Sequence, residues 1–549
     1  MKLTGSLLAV GLSVLYGACQ VQAAAVFAHF IVGNAPNYNL DTWRRDMQLA
    51  QDAHIDAFAM NVATGDASIY NSLALAFDAA RLQNFKLFLS FDYLGGSAGP
   101  WGKGQVLDLA STYFARGEYL KYNGKPLAST FEGADQAGDW VDIKRQTGCF
   151  FLPDWSSRGA RGALDLQGGV ADGLFAWTAW PWGNRDMDSN TDASYDEALR
   201  GQNKPYMMAV SPWFYTNLPG WSKNWLWRGD DLWTDRWNQI IEHQPEFVEI
   251  ITWNDYGESS HISPLYDNAM GLFNYGKAPF NYAQDMPHDG WRQFLPFLID
   301  TYKGARPAIT KEGLTSWYRT SPAAACSDGG TPGNTASQMQ LEFSAAQVSQ
   351  DRVFYSALLA SDAQVEVTIG GRTQAGSWKH RPDGGVGVYH GGVEFGGRTG
   401  DVVIRVFRGG STIAQINGRS VSPDNCRNGL TNWNAWVGSA MSSASIPAAA
   451  APGTPAKQPF RWNDGDVPQY CVEGHSSGDG RLDGLCRWSC GLGFCPIHAC
   501  TCTRQGTSQP SAPGWVNVPA TGADGVSDFG LCDFACHHGN CPGDVCRRL

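Results

Sequence analysis

The sequence predicts a multidomain chain: a (β/α)8 barrel, then a β-sandwich-like domain, then a small disulfide-rich C-terminal module. Three observations carry this reading. Eight short apolar runs alternate with amphipathic stretches between Val26 and about Lys303. Short alternating runs separated by Gly pairs fill residues 335–425. A four-cysteine spacing then occurs twice near the end of the chain. At roughly 150 residues per domain, a chain of 549 residues suggests about three to four domains.

Residues 1–23 read as a secretory signal. Lys2 supplies the positive start, Leu3 to Tyr16 is an apolar run too short to span a bilayer, and Val21-Gln22-Ala23 is a small-x-small cleavage site. No later stretch approaches about 18 consecutive apolar residues, so no membrane span is expected. The chain is expected to be secreted, extracellular or in a cell wall, and monomeric.

Residues 24–320 form the predicted barrel. Its strand-like runs are Val26 to Val32, Ile55 to Val62, Lys86 to Tyr93, Leu127 to Glu132, Cys149 to Leu152, Gly173 to Trp177, Tyr206 to Val210 and Phe247 to Trp253. Helical patterns fall at Thr42 to Ala53, Ile69 to Leu82, Gln105 to Ala115, Trp140 to Arg145, Tyr195 to Leu199, Leu232 to His243 and Trp291 to Tyr302. Continuous apolar strands separated by helices indicate a parallel sheet buried on both faces. Eight of them over this length fit a closed barrel. A doubly wound open sheet is the alternative, but no Gly-rich phosphate loop follows the first strand.

Residues 321–440 change character. Runs such as Gln364 to Ile369 and Val402 to Phe407, separated by pairs such as Gly370-Gly371 and Gly409-Gly410, predict a small sandwich. Residues 441–465 then read as a solvated linker, because Ser442 to Pro459 is rich in Ser, Ala and Pro.

Residues 466–549 carry the repeat. Cys486-x3-Cys490-x4-Cys495-Pro496-x3-Cys500 is matched by Cys532-x3-Cys536-x4-Cys541-Pro542-x3-Cys546. Modules this small lack area for a core, so disulfides replace it. Zinc is the rival reading, helped by His498, His537 and His538; secretion and the even count of ten cysteines favour disulfides. Cys326 and Cys426 bracket the middle region as a further pair, which leaves Cys149 as a buried free thiol.

Composition narrows the function. Lys plus Arg total 41 against 52 Asp plus Glu, a net charge of −11, without a basic block, which argues against nucleic acid as partner. Barrel chemistry belongs at the C-terminal ends of the strands. Those ends offer His29, Asn61, Asp92, Glu132, Asp154-Trp155, Trp180 and Trp182, Trp213 and Tyr215, and Asp255 with Glu258. Carboxylates interleaved with tryptophans, without a Cys/His ligand set, suit a carbohydrate: ring faces stack on Trp, and hydroxyls pair with Asp, Asn and Glu. Cleaving a glycosidic bond takes two carboxyl groups, and Asp255 and Glu258, three residues apart, suit one mouth. Trp177 and the helically spaced Trp233 and Trp237 read as core, whereas Trp225 and Trp227 read as groove residues.

Several ordered motifs resemble fungal glycoside hydrolase family 71, the α-1,3-glucanases or mutanases. They are Phe27-Ala28-His29-Phe30-Ile31-Val32-Gly33-Asn34, Ile55-Asp56-Ala57-Phe58-Ala59-Met60-Asn61 and Ser129-Thr130-Phe131-Glu132-Gly133. Further on come Trp253-Asn254-Asp255-Tyr256-Gly257-Glu258-Ser259, Trp317-Tyr318-Arg319 and Asn432-Trp433-Asn434-Ala435-Trp436-Val437-Gly438. The resemblance covers about residues 26–440. It implies endo-hydrolysis of α-1,3-glucan with inversion, catalytic Asp92, Asp255 and Glu258, and no metal or cofactor. Within the trio, Glu258 is expected as general acid, Asp255 as base and Asp92 as an assistant at the cleavage subsite. His29, Asn61, Glu132, Asp154, Trp155, Trp180, Trp182 and Trp213 are the expected sugar-binding residues. The alternatives are a non-catalytic carbohydrate-binding wall protein, or a hydrolase of another α-glucan. The Cys-rich tail lies outside the resemblance; binding of insoluble glucan or cell wall is its expected role, with Trp488 and Trp515 as stacking residues.

Overall fold

The computed structural model describes residues 24–333, 343–460, 470–496, 499–506, 512–514, 516 and 518–549. The expected signal segment, His498, Trp515 and the end of the expected linker lie outside them.

Eight parallel strands close a barrel: β1 (Ala25–Ile31), β2 (Ala57–Ala63), β3 (Lys86–Asp92), β4 (Lys125–Phe131), β5 (Phe150–Asp154), β6 (Leu174–Ala176), β7 (Tyr206–Val210) and β8 (Phe247–Ile250). β8 returns to β1 through the register Ala28↔Ile250, and β3 joins β4 through Leu89↔Ala128. The registers Ala63↔Asp92, Asp92↔Phe131 and Phe131↔Asp154 bring the strand ends of this arc to one level. The covering helices are α1 (Leu40–Asp52), α2 (Ser68–Gln83), α3 (Lys103–Tyr113), α4 (Ala137–Thr147), α5 (Gly159–Asp165), α6 (Asn190–Leu199), α7 (Leu232–His243) and α8 (Leu295–Tyr302). α5 has no counterpart in the helical pattern read from sequence, because Gly159 and Gly162 dilute its apolar periodicity.

Two-residue alternation sets what fills the barrel. Phe27 contacts Phe88 and Phe247, and Tyr122 of a short hairpin before β4 packs edge-on to Phe150 and Phe247. That aromatic floor seals the N-terminal end. Two residues further along, β1 and β8 contribute His29 and Glu249, whose side chains meet at 2.6 Å and are fully enclosed.

The second domain is a sandwich. One sheet orders Trp378–His380, Gly387–Glu394, Arg352–Leu359, Gly313–Tyr318 and Trp436–Met441; the other orders Arg372–Ala375, Gln364–Ile369, Gly400–Arg408 and Ser411–Val421. Leu314, Val353, Val367, Ile404 and Ile416 are among the side chains between them. Gly313–Tyr318, which the division at residue 320 assigns to the barrel side, is thus a sandwich strand. Cys326 and Cys426 form the expected disulfide.

The linker expectation is corrected. Ser442 to Phe460 lies along the barrel as a strap. Ser442 N–H donates to the Glu312 carbonyl and Ile446 N–H to Thr310, and Ala449–Ala450 pairs antiparallel with Ala308–Ile309. Gln458 N–H then donates to the Glu242 carbonyl, and the Phe460 ring packs on His243 and Tyr206. Composition reads this stretch as solvated because Ala and Pro bury little; its hold comes from backbone groups, from Ile446 and the terminal Phe460 against the core, and from the Thr454 hydroxyl, which donates to the Thr301 carbonyl at 2.6 Å.

In the tail, Cys486–Cys500 and Cys490–Cys495 repeat as Cys532–Cys546 and Cys536–Cys541, with Cys471–Cys502 as the fifth bridge. All ten sulfurs are oxidised, so none is a thiolate for zinc. Phe494 stacks on Phe534 across the two repeats, and Trp182 and Phe343 pack against the tail's apolar cluster. Cys149 is free and buried, and burial pushes its thiol up to about 11, far from a reactive thiolate.

Replacing Phe460 by Ala is expected to cost about 1–2 kcal/mol, since the ring is half-buried, and to lower the thermal midpoint. An unchanged midpoint would mean the strap does not hold the barrel.

Candidate active site

The loop following β8 builds the site. Thr252 N–H donates to the Ser260 carbonyl, and Ile262 and Ser263 N–H groups return to Thr252 and Trp253, so residues 252–263 close on themselves. Asn254 is clamped to Ile31 at the end of β1, accepting from its N–H at 2.8 Å and donating to its carbonyl at 3.0 Å. The Trp253 indole donates to Asp46, whose carboxyl burial raises to about 6. Asp255 is oriented at both ends: its N–H donates to Thr252 Oγ1 at 2.8 Å, and its Oδ1 accepts from Glu258 N–H at 3.0 Å. Both acids therefore belong to one tight turn.

A hairpin between β7 and α7, Tyr215–Leu218 with Lys223–Leu226, lies against that turn. Tyr215 N–H donates to the Glu258 carbonyl, and Lys223 Nζ reaches Glu258 Oε1 at 2.9 Å. The charges of Glu258, Asp255 and Asp92, largest first, all raise the Lys223 ammonium pKa, opposed by burial. Glu258 makes the contact with the cation, and the charges of Asp255 and Asp92 reach it as well. Burial, then the Glu258 charge, pushes the Asp255 carboxyl up to about 7, against the lowering effect of Lys223 and of two backbone N–H groups. Asp92 is aimed from the end of β3: its Oδ1 accepts from Leu94 and Gly95 N–H groups, and its Oδ2 lies 3.4 Å from Asn61 Nδ2. A Cβ on Gly95 would stand 2.5 Å from Asp92 Oδ2, so only glycine lets the backbone approach so closely.

The expected sugar-binding residues divide. Asn61 lies beside Asp92. Glu132 is held apart from the trio, accepting from the Ser157 N–H at 2.8 Å and from its hydroxyl. Asp154 is fully enclosed; burial and then Glu132 raise its carboxyl well above the usual range, and Ser156 caps it. His29 is only 1% exposed and faces Glu249 and the edge of Trp177, so it supports the mouth from below. Trp155 is 0% exposed against Phe151, and Trp213, 3% exposed, donates its indole N–H to the Trp433 carbonyl. Neither has a ring face left for a sugar, which corrects both expectations; a tryptophan beside a strand end can be pillar as well as platform. Trp180 and Trp182 are half-buried, Trp180 stacking with Trp227 and Trp182 meeting Phe343 edge-on. Trp177, read as core, is also half-buried, over His29 and Phe131. Trp225 stacks on Phe214 and is half-buried, whereas Trp227 is enclosed. Lys223 was missed: its site role depends on a hairpin register that no spacing in the chain announces.

The family model of glycosyl hydrolase family 71 matches residues 22–450. The chain is 36% identical over 370 residues to the glucan endo-1,3-alpha-glucosidase agn1 of Schizosaccharomyces pombe, covering 64% of this chain and 81% of that protein. It is 31% identical over 439 residues to a mutanase of Penicillium rubens, covering 78% of this chain and 92% of that protein. An ascus wall endo-1,3-alpha-glucanase of S. pombe is 31% identical over 295 residues, covering 51% and 66%. A barrel whose mouth gathers Asp92, Asp255 and Glu258, matched by that model over most of its length, belongs to glycosyl hydrolase family 71 and is a glycoside hydrolase.

Proposed function

We propose that the protein cleaves internal α-1,3-glucosidic bonds of α-1,3-glucan with inversion, using Asp255 and Glu258 as its acid–base pair. The unequal surroundings of these two carboxyls in one turn are the observation that carries the reading. Asp255, raised to about 7 by burial and by Glu258, keeps a proton to give to the glycosidic oxygen. Glu258, against the Lys223 ammonium, accepts a proton from the water that attacks the anomeric carbon from the opposite face. The bond to the leaving sugar breaks as the bond to water forms, and an α-linkage gives a β-anomer. Asp92, at the neighbouring strand end, assists at the cleavage subsite.

This assignment exchanges the roles expected from the motif, which gave the acid to Glu258. Burial of Asp255 and the cation beside Glu258 are the reasons, and neither is visible in residue spacing. The linkage follows from the relatives, all named for action on 1,3-α-glucan or as mutanase. Carboxyl chemistry of this kind calls for no metal or cofactor. Trp180 and Trp182, with Asn61 and Glu132, are the residues we assign to holding the chain. The signal-like start, the six disulfides among the described residues and the ascus wall named for one relative support a secreted enzyme. No helix among the described residues is long and apolar enough to cross a membrane. The tail, packed beside Trp182, would hold the enzyme on insoluble glucan and raise its effective concentration there.

Glu258→Gln and Asp255→Asn are each expected to lower reducing-sugar release from α-1,3-glucan by about 10²-fold or more. Wild-type enzyme should release little from α-1,4- or β-1,3-glucan; preference for either would overturn the substrate. On an α-glucosyl fluoride, whose leaving group needs no proton, Asp255→Asn should retain activity and Glu258→Gln should not, and the opposite pattern would return the acid role to Glu258. Because the protonated Asp255 is the active form, kcat/KM should fall as pH rises through about 7. Deleting residues 466–549 should reduce activity on insoluble glucan and spare soluble oligosaccharides; equal loss on both would contradict a binding role.

A further inference from the structure

Lys223 is fixed by its backbone to the turn that carries both acids. In the hairpin, Lys223 pairs with Leu218 and Leu226 with Tyr215. Tyr215 N–H donates to the Glu258 carbonyl at 3.0 Å, and its own carbonyl accepts from Ser259 Oγ at 2.9 Å. The Tyr282 hydroxyl donates to the Gly257 carbonyl at 2.6 Å and accepts from Asn217 N–H at 3.2 Å. A Cβ on Gly257 would come within 3.1 Å of Leu218, so hairpin and turn are in direct contact. The lysine stem is about two-fifths exposed and the Glu258 side chain much less so, at 15%. The ammonium therefore bridges solvent and a mostly enclosed carboxylate.

We propose that Lys223 is a positioning residue for the hydrolysis: it orients Glu258 as the charged, proton-accepting partner and so leaves the proton on Asp255. This rests on the acid–base reading above. The charged groups that act on Lys223 are Glu258, in contact at 2.9 Å, and Asp255 and Asp92 through their fields. Three carboxylates around one cation are over-supplied with negative charge, and like charges confined together favour retention of a proton on one of them. The 2.9 Å contact falls on Glu258, so the proton goes to the acid that lacks it. A lysine is suited to this as a compact charge on a long stem, able to swing aside when a sugar enters.

The test compares Lys223→Met and Lys223→Arg with wild type on soluble α-1,3-gluco-oligosaccharide, reading kcat, KM and the pH dependence of kcat/KM. Lys223→Met is expected to lower kcat by about tenfold or more, with a smaller change in KM. Removing the cation should also move the alkaline limb, the fall of kcat/KM near pH 7, upward by about one pH unit, because the carboxylates lose their counter-charge. Lys223→Arg should restore the limb and most of kcat. A wild-type kcat and limb in Lys223→Met would overturn the proposal, as would equal losses in both variants with an unmoved limb. If Lys223→Met has a lowered thermal midpoint, the charge-conserving Lys223→Arg decides through its limb. Glu258→Gln separates the two readings: activity retained there sinks the acid–base assignment itself. Activity abolished there, with Lys223 variants like wild type, sinks only this proposal.

Discussion

Two carboxyl groups within one turn of chain, mostly withdrawn from water, repel each other, and the surrounding structure has to hold that arrangement closed. The turn is tied on every side. Asn254 clamps it to β1, the Thr252 hydroxyl accepts from Asp255 N–H, and the N–H of Glu258 donates into Asp255 itself. Lys223 supplies the one opposing charge in contact with the pair among the described residues. Unequal compensation follows: Glu258 has a cation in contact, whereas Asp255 has none and its carboxyl is raised by burial and by its neighbour's charge. That asymmetry separates the two roles that acid–base hydrolysis requires.

The sandwich serves the same turn from behind. Asn432 and Asn434 both donate side-chain N–H groups to the Tyr282 carbonyl, and the Tyr282 hydroxyl donates to Gly257, between the two acids. His288 stands between the His261 and Ala435 carbonyls at the end of the turn, its ring nitrogens 2.9 and 3.0 Å from them, and burial lowers its pKa to about 4 against the two carbonyls, which favour the charged ring. This gives a physical reason why the segment around Trp433 accompanies the barrel motifs in one family pattern: it is part of the support of the turn that carries Asp255 and Glu258. Trp213 and Trp317 serve likewise, each donating an indole N–H across the barrel–sandwich boundary.

Strand ends were legible in the sequence because parallel strands buried on both faces leave unbroken apolar runs, and the mouth of a barrel lies where those runs stop. Asp92, Asp255 and Glu258 were therefore visible as acids at a mouth. The disulfide module was legible for a different reason, since a spacing written twice constrains the pairing of both copies alike. Three things were not legible. Lys223 reaches the site through a hairpin whose register is a tertiary fact. Trp155 and Trp213 have the composition of a sugar platform, yet they are pillars, because identity does not say which way a ring faces. The strap over residues 442–460 buries backbone groups, which composition does not record.

The paired-carboxyl account implies a single displacement by water, without a covalent sugar on the enzyme. Following the first minutes of hydrolysis of linear α-1,3-gluco-oligosaccharide by proton NMR, before mutarotation, tests this most directly. The account requires the newly formed reducing end to appear first as the β-anomer. An initial α-anomer would mean retention, a nucleophilic carboxylate, and a different division of labour between Asp255 and Glu258.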